Sequence, residues 1–266
     1  MKIIVTGPKG KMGRLITRLA AKRTDMDLVA GTAPKGRAYA GQDIGISAGM
    51  GEKVGAPVVD DLESVIDSCD IIIDYTTVEN SMEVLEAALK HNKAVVCGTT
   101  GFSPEQFARI QEISQSIPVL YAANTSRVVN LMYKFLELAA KAIGNSSDIE
   151  IIEMHDRNKK DAPSGTSKEM GQIIAEALNE NLKDIAVYGR FGKSERIPGS
   201  IGYHSIRSGD ISSSHTVMFG LIGERLEITH HAYNWECFAR GACEAAAFLY
   251  GKGAGLYTVK DVLGLE

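Results

Sequence analysis

Lys2-Ile3-Ile4-Val5-Thr6-Gly7-Pro8-Lys9-Gly10-Lys11-Met12-Gly13 is the stretch on which the fold turns. A short β-branched run leads straight into three glycines, and Met12, Leu15, Ile16, Leu19 and Ala20 then recur at helical spacing. Strand, glycine loop and helix in that order are the recipe for holding a pyrophosphate. Glycines let backbone approach the ligand, and the helix N-terminus offers N–H groups and the positive end of a dipole. The spacing Gly7-x-x-Gly10-x-x-Gly13 is a variant, because Lys9 stands where the usual fingerprint has its second glycine. No G-K-[ST] follows, so it is not a Walker loop. Alone, the motif serves equally as a tight strand–helix turn; at the head of a βαβ unit it favours a dinucleotide.

Further along, Leu28-Val29-Ala30, Val58-Val59, Cys69 to Tyr75 and Lys93 to Cys97 read as short strands, with Met82, Leu85, Ala88 and Leu89 marking a helix between the last two. A glycine-rich loop with little periodicity runs from about Gly31 to Gly55. Short buried strands alternating with helices predict an α/β fold, a doubly wound parallel sheet of Rossmann type. Gly98-Thr99-Thr100-Gly101 and Ala122-Ala123-Asn124-Thr125-Ser126 each follow a strand, so both belong at the carboxyl edge where such sheets bind ligands. Either alone is ordinary turn chemistry; together with the glycine loop they favour a shared site.

After about Asn124 the pattern changes. A helix over Met132, Phe135, Leu136 and Ala139 precedes a strand from Ile149 to Met154 and a helix over Met170, Ile173, Ile174, Ala177 and Leu178. Strands then follow one another at His215 to Phe219 and Glu224 to His231, which predicts an antiparallel or mixed sheet in a second, α+β domain. On the last strand Leu226, Ile228 and His230 alternate with Arg225, Glu227 and Thr229, giving an apolar face that needs covering, and subunit association is one way to supply it. His230 reads as a core or interface histidine. A last helical stretch, about Glu236 to Tyr250, returns to the first domain, with Trp235 before it as a hinge or packing residue.

Composition narrows the function classes. The 266 residues are 44% apolar and 23% charged with a formal charge of −4, an ordinary globular balance that argues against general polyanion or nucleic-acid binding. No run approaches the ~18 apolar residues of a membrane span. The strand-like start with no signal peptide ahead of it leads us to expect a cytoplasmic protein. Four scattered cysteines without C-x-x-C spacing, and no H-x-x-x-H pair, predict neither a disulfide scaffold nor a metal site.

The most informative stretch is Glu153-Met-His-Asp-Arg-Asn-Lys-Lys-Asp-Ala-Pro-Ser-Gly-Thr166. His155 ends a strand four residues before Lys159, and Pro163-Ser164-Gly165-Thr166 opens the next helix. One loop thus carries N–H groups suited to a carboxylate, a cation with a transferable proton, and the side chain that titrates nearest neutrality. A solvated basic loop beside a capped helix is the bland alternative.

At these residues the chain resembles the 4-hydroxy-tetrahydrodipicolinate reductase (dihydrodipicolinate reductase) family. The resemblance runs through G-x-x-G-x-M-G, G-T-T-G-F at Gly98 to Phe102, A-A-N-x-S, E-x-H-x-R-x-K-x-D-A-P-S-G-T, R-x-G-D at Arg207 to Asp210, and G-E-R-L-E-I-T-H at Gly223 to His230. It implies a dinucleotide domain of residues 1–126 completed by 236–266, and a substrate and tetramerisation domain of residues 127–235. It also implies reduction of 4-hydroxy-tetrahydrodipicolinate, in diaminopimelate and lysine biosynthesis, by hydride transfer to C4 and protonation of the enamine carbon. His155 is then the acid/base and Lys159 the proton donor, with Gly165 and Thr166 on the dicarboxylate substrate. Gly7, Pro8, Lys9, Gly10, Lys11, Met12, Gly98, Thr99, Thr100, Ala122, Ala123, Asn124 and Thr125 would line the cofactor. Asp156 stands where the family often has a second histidine and is placed with the substrate-binding residues, the alternative being that it turns away or pairs with Arg157. Thr125 replaces a phenylalanine, with Arg127 shortly after. No acid follows the second strand, where Ala33-Pro34-Lys35 stands instead, so Lys35 joins the cofactor residues, with NADPH preferred and NADH usable. A dinucleotide-binding redox sensor without catalysis is the reading from another class; His155, Lys159 and the Pro163–Thr166 helix start weigh against it.

Overall fold

The first strand, β1 (Lys2–Thr6), is buried at every residue after Lys2, which is why its apolar run is unbroken rather than alternating. The computed structural model describes residues 1–265. In chain order there follow α1 (Lys11–Ala20), β2 (Asp27–Thr32), α2 (Ile44–Ser47), β3 (Val58–Val59), β4 (Ile71–Asp74), α3 (Val78–His91), β5 (Ala94–Cys97), α4 (Pro104–Ser114), β6 (Pro118–Tyr121) and α5 (Arg127–Ile143). The chain continues through β7 (Asp148–His155), α6 (Gly165–Ala177), α7 (Leu182–Ile185), β8 (Ala186–Tyr188), β9 (Ile201–Arg207), β10 (Ser213–Leu221) and β11 (Glu224–Ala232). It ends with α8 (Glu236–Leu249), β12 (Gly255–Tyr257) and α9 (Val259–Leu263).

These elements form two compact units, one of residues Met1–Arg127 joined by the chain from Glu236 onward, the other Val128–Trp235. The first holds a seven-stranded sheet in the order β12-β6-β5-β4-β1-β2-β3, parallel at every pairing. Successive side chains of β1 enter opposite layers. Ile3 and Val5 pack with Ile16 of α1 and Ala242 and Ala246 of α8, while Ile4 packs with Leu85 of α3 and Ile110 and Ile113 of α4. Each such fully buried isoleucine contributes roughly 1.5–3 kcal/mol, so the two-sided burial is the main support of the unit.

Two elements have weak periodic signals. In α4 only Ile110, Ile113 and Ser114 are buried, too few to show a stripe; its signature is instead the capping box of Ser103 and Gln106 with Pro104 at the first turn. The three-residue β12 adds to the edge through β6, with Leu256 beside Val119.

The second unit holds a mixed five-stranded sheet, β11-β10-β7-β9-β8, in which β7, β9 and β8 run parallel and β10 is antiparallel to both its neighbours. Helices α5 and α6 cover one face, where Val129, Met132, Leu136, Met170 and Ile174 meet Ile149, Ile151, Val217 and Phe219. The register corrects one expectation. Leu226, Ile228 and His230 lie opposite Phe219, Val217 and His215, so their face is the inward one. Ile228 packs on the unit's own core and His230 is buried; only Leu226, on the edge strand, stays exposed. The open face is the other, carrying Ile152, Met154, Met218 and Ile206, none of which enters the buried cluster. Alternation reveals that a strand has two faces, but helices elsewhere in the chain decide which is inside. Among the described residues no helix is long and apolar enough to cross a membrane.

Candidate active site

The glycine loop is built by close approach. Gly7 has φ +58° and donates to Thr32 O at 2.9 Å, and the Gly10 N–H closes on Gly7 O at 2.9 Å. A Cβ on Gly13 would lie 2.1 Å from Gly7 O, so only glycine lets α1 start this tightly against the loop. Gly10 is the N-cap residue and provides no side-chain cap for the first turn. Beside the loop, the Lys9 ammonium sits 5.1 Å from the centre of the Tyr39 ring. Lys35 is exposed just past Ala33.

The neighbouring strand ends are tied together by Asp74, a residue the sequence reading passed over. Its carboxylate is 1% exposed and accepts hydroxyls from Thr6 at 2.5 Å, Thr76 at 2.7 Å, Thr99 at 3.3 Å and Ser81. Thr99 Oγ1 also accepts the Thr76 N–H at 3.1 Å, which pins the Gly98–Thr100 turn to the end of β4. The only sequence signal was a lone acid closing the Ile71-Ile72-Ile73 run. Gly98 is needed because a Cβ there would fall 2.0 Å from the Tyr75 ring. The Tyr75 hydroxyl in turn meets Thr125 Oγ1 at 2.7 Å, and Thr125 donates to Phe238 O at 2.8 Å. Thr125 is therefore buried and its side chain is committed to packing, leaving backbone as what it can offer a ligand. Because β6, β5, β4 and β1 are adjacent and parallel, the loops at Gly7–Met12, Gly98–Thr100 and Ala122–Thr125 share one sheet edge.

In the second unit, His155 is the last residue of β7 and is buried. Its Nδ1 lies 3.3 Å from Oε2 of Glu153 without a formed hydrogen bond. Glu153 is 1% exposed and accepts the Ser164 N–H at 3.1 Å, the Ser167 hydroxyl at 3.2 Å and Arg207 Nη2 at 2.8 Å. Burial by itself would raise its pKa, but His155, Ser164 and Arg207 together hold it far below the usual carboxylate range. His215 packs edge-on to His155 with ring centres 5.2 Å apart. Burial, then the neighbouring His155, push His215 down to about 3, so it is neutral at physiological pH.

The turn after β7 carries the other predicted residues. Asp156 Oδ1 accepts the Asn158 N–H at 2.8 Å, which turns this carboxylate onto its own loop. Lys159 pairs with Asp161 at 2.8 Å and holds the Asp161 carboxyl below its ordinary value. Ser164 caps α6 by accepting the Ser167 N–H at 3.2 Å, and the exposed Gly165, with open space where a Cβ would stand, begins the helix beside Thr166. Donor atoms of Glu153, His155 and His215 lie within 4.8 Å of one another, a spacing that suits a metal ion. Arg207 already neutralises the carboxylate, however, and a divalent ion beside a half-buried guanidinium is unfavourable; the arrangement is a hydrogen-bond network. Glu153, Arg207, Ser213 and His215 are the members the sequence reading did not assign. Glu153 and Arg207 stood within quoted motifs, whereas nothing local marks Ser213 or His215.

A doubly wound parallel sheet with a glycine loop at its first strand, joined to a mixed-sheet unit in which Arg207 pairs with buried Glu153 beside His155, defines a Rossmann-type dinucleotide-binding protein. Comparison with known proteins narrows the class. Residues 1–125 match the family described as dihydrodipicolinate reductase, N-terminus, and residues 128–263 match its C-terminus. A 4-hydroxy-tetrahydrodipicolinate reductase of Hahella chejuensis is 46% identical, covering 100% of this chain and 99% of its own. One from Burkholderia ambifaria is 45% identical over 100% of both. Among solved structures, the dipicolinate-bound dihydrodipicolinate reductase of Paenisporosarcina sp. TG-14 superposes with TM-score 0.78 at 28% identity, over 97% of each chain. An amine dehydrogenase of Mycobacterium smegmatis shares the fold, at TM-score 0.69 and 13% identity. The chain belongs to the dihydrodipicolinate reductase family.

Proposed function

We propose that the protein reduces 4-hydroxy-tetrahydrodipicolinate to tetrahydrodipicolinate with NAD(P)H, in diaminopimelate and lysine biosynthesis. The observation that carries this reading is the single turn joining His155, Lys159 and the capped start of α6 at Ser164. A cyclic dicarboxylate needs donors for its carboxylates and a proton for the carbon left electron-rich by reduction. Gly165 and Thr166, at the positive end of α6, bind a carboxylate. Lys159 supplies the proton once a substrate carboxylate competes with Asp161 for it, and His155 is the acid/base residue. Asp156, accepting from its own turn, shapes the loop beside the substrate rather than contacting it.

The residues of the first unit fit a dinucleotide: Gly13 lets the N-terminus of α1 close directly onto the Gly7–Gly10 loop, and that N-terminus, free of any side-chain cap, suits a pyrophosphate. When bound, the nicotinamide supplies the hydride. Gly7, Pro8, Lys9, Gly10, Lys11 and Met12 hold the phosphates. Gly98, Thr99 and Thr100, with Ala122, Ala123, Asn124 and the Thr125 backbone, border the remainder. The test is absorbance loss at the nicotinamide band with purified protein and enzymatically generated substrate; a wild-type protein without turnover ends the reading.

NADPH is the preferred cofactor. No acid follows β2 to bind the ribose or repel a 2′-phosphate, and Lys9 and Lys35 are cations at that end. One charge-assisted contact, worth about 1.5–3 kcal/mol, gives a ten- to hundred-fold preference. Dissociation constants for both cofactors at low and high salt check it. The preference should shrink as salt is added, and equal affinities or tighter NADH binding would refute it.

The open face of the mixed sheet, with Ile152, Met154, Met218 and Ile206, is the surface on which the second unit assembles a closed homotetramer. Light scattering should give four chains per particle at micromolar concentration. Ile206→Lys should shift the distribution towards smaller species, and a monomeric wild type would overturn the assembly.

A further inference from the structure

Glu153 and five other side chains close into a ring. Glu153 Oε2 faces His155 Nδ1 at 3.3 Å, and His155 Nε2 faces Ser213 Oγ at 3.3 Å. Ser213 Oγ meets His215 Nδ1 at 3.4 Å, and His215 Nε2 meets Ser164 Oγ at 3.2 Å. Ser164 Oγ donates to Ser167 Oγ at 3.2 Å, which returns to Glu153 Oε2 at 3.2 Å. We propose that Glu153 is a positioning residue for the acid/base function: through this ring it keeps the hydrogen of neutral His155 on Nδ1 and leaves Nε2 as the proton-exchanging atom. The proposal rests on the reductase reading above for the role of His155, but its geometry does not.

The directions follow from what each group can give. An ionised carboxylate only accepts, so Ser167 donates to Glu153 and must itself accept from Ser164. The Ser164 hydrogen is then spent, and His215 must donate to it from Nε2, leaving a bare Nδ1. On the other side of the carboxylate, His155 Nδ1 faces Oε2 at 3.3 Å, short of a formed hydrogen bond; a bare Nδ1 there would set lone pair against anionic lone pair, so Nδ1 is the nitrogen that carries the hydrogen. Neutral His155 therefore has a bare Nε2. Ser213, with one hydrogen between two bare nitrogens, is the only rotor in the ring. When His155 is neutral, Ser213 donates to its Nε2. When His155 gains a proton there, Nε2–H donates to Ser213, whose hydrogen turns to His215 Nδ1. Both protonation states keep the Ser213 contact, and the proton gained or lost is the one on Nε2. Arg207 and the Ser164 N–H hold the other lone pairs of Glu153, so the carboxylate neither rotates nor takes up the proton. Orienting a histidine through a buried carboxylate in this way is the logic of a catalytic dyad.

The test combines Glu153→Gln with nitrogen-15 NMR of the histidine rings, His155 being assigned from the spectrum of His155→Gln. In the wild type, without substrate, neutral His155 should show the Nδ1–H tautomer. Glu153→Gln should move it towards Nε2–H and lower kcat about 100-fold, with substrate KM and cofactor Kd within about threefold of wild type. Glu153→Asp, which keeps the charge, should retain the tautomer and part of kcat. A wild-type Nε2–H tautomer overturns the proposal, as does Glu153→Gln with full kcat, or with lost kcat and an unchanged His155 ring. If Glu153→Gln does not fold, the wild-type tautomer and Glu153→Asp decide. Failure of the reductase reading would show separately, as a wild type that does not oxidise NADPH with substrate.

Discussion

Turnover should fall about 100-fold or more when either His155 or Lys159 is replaced by Ala, the range expected for losing a general acid–base group. Lys159 is the cleaner case. Its partner Asp161 has a side chain 55% exposed, so breaking that pair costs at most about 1 kcal/mol of stability and the variant stays folded. Cofactor affinity should be unchanged in both variants, because the glycine loop belongs to the other unit. His155→Ala leaves Glu153 with Arg207, Ser164 and Ser167 as partners, so the buried charge is still compensated. Steady-state rates with saturating NADPH, alongside cofactor binding by fluorescence, read out both effects. Full activity in either variant removes that residue from the catalytic assignment.

Gly13→Ala should be the most damaging small substitution in the glycine loop. The new Cβ would stand 2.1 Å from Gly7 O and 2.9 Å from Pro8 Cα, both backbone atoms that no rotamer change can move. The loop must open or α1 must retreat, at a cost of roughly 1–3 kcal/mol for overpacking. Because the same displacement pulls the helix N-terminus from the pyrophosphate, cofactor Kd should rise about tenfold or more. Gly10→Ala meets its nearest atom, Gly7 O, at 3.2 Å and should be milder on both counts. Melting temperature and NADPH titration of the two variants give the ranking. A Gly13→Ala protein with wild-type affinity would show that close packing of α1 is not what holds the cofactor.

Much of the fold was legible because its signals are local. In β1 and β4 a β-branched run buried on both faces is visible as an unbroken apolar string, and α6 shows its stripe over Met170 and Ile174. The glycine loop and the His155–Thr166 turn were legible for the same reason: each is contiguous, and its chemistry depends on spacings of a few residues. The α4 helix was missed where burial is slight, although Ser103, Pro104 and Gln106 spelled its start.

The amino-acid sequence by itself thus determined the Rossmann-type sheet and the second unit, the order of most of their elements, the strand–glycine–helix loop, and the His155–Thr166 turn. Only the tertiary structure decided which face of β11 is inside. It also decided that Thr125 is spent on Tyr75 and that His155 stands in a ring with Glu153, Ser213 and His215. The reason is physical. Strand pairing sets Glu153 opposite His215 and His155 beside Arg207, bringing together residues more than fifty positions apart in the chain. A period along one strand carries no information about which distant strand, in which register, will lie next to it.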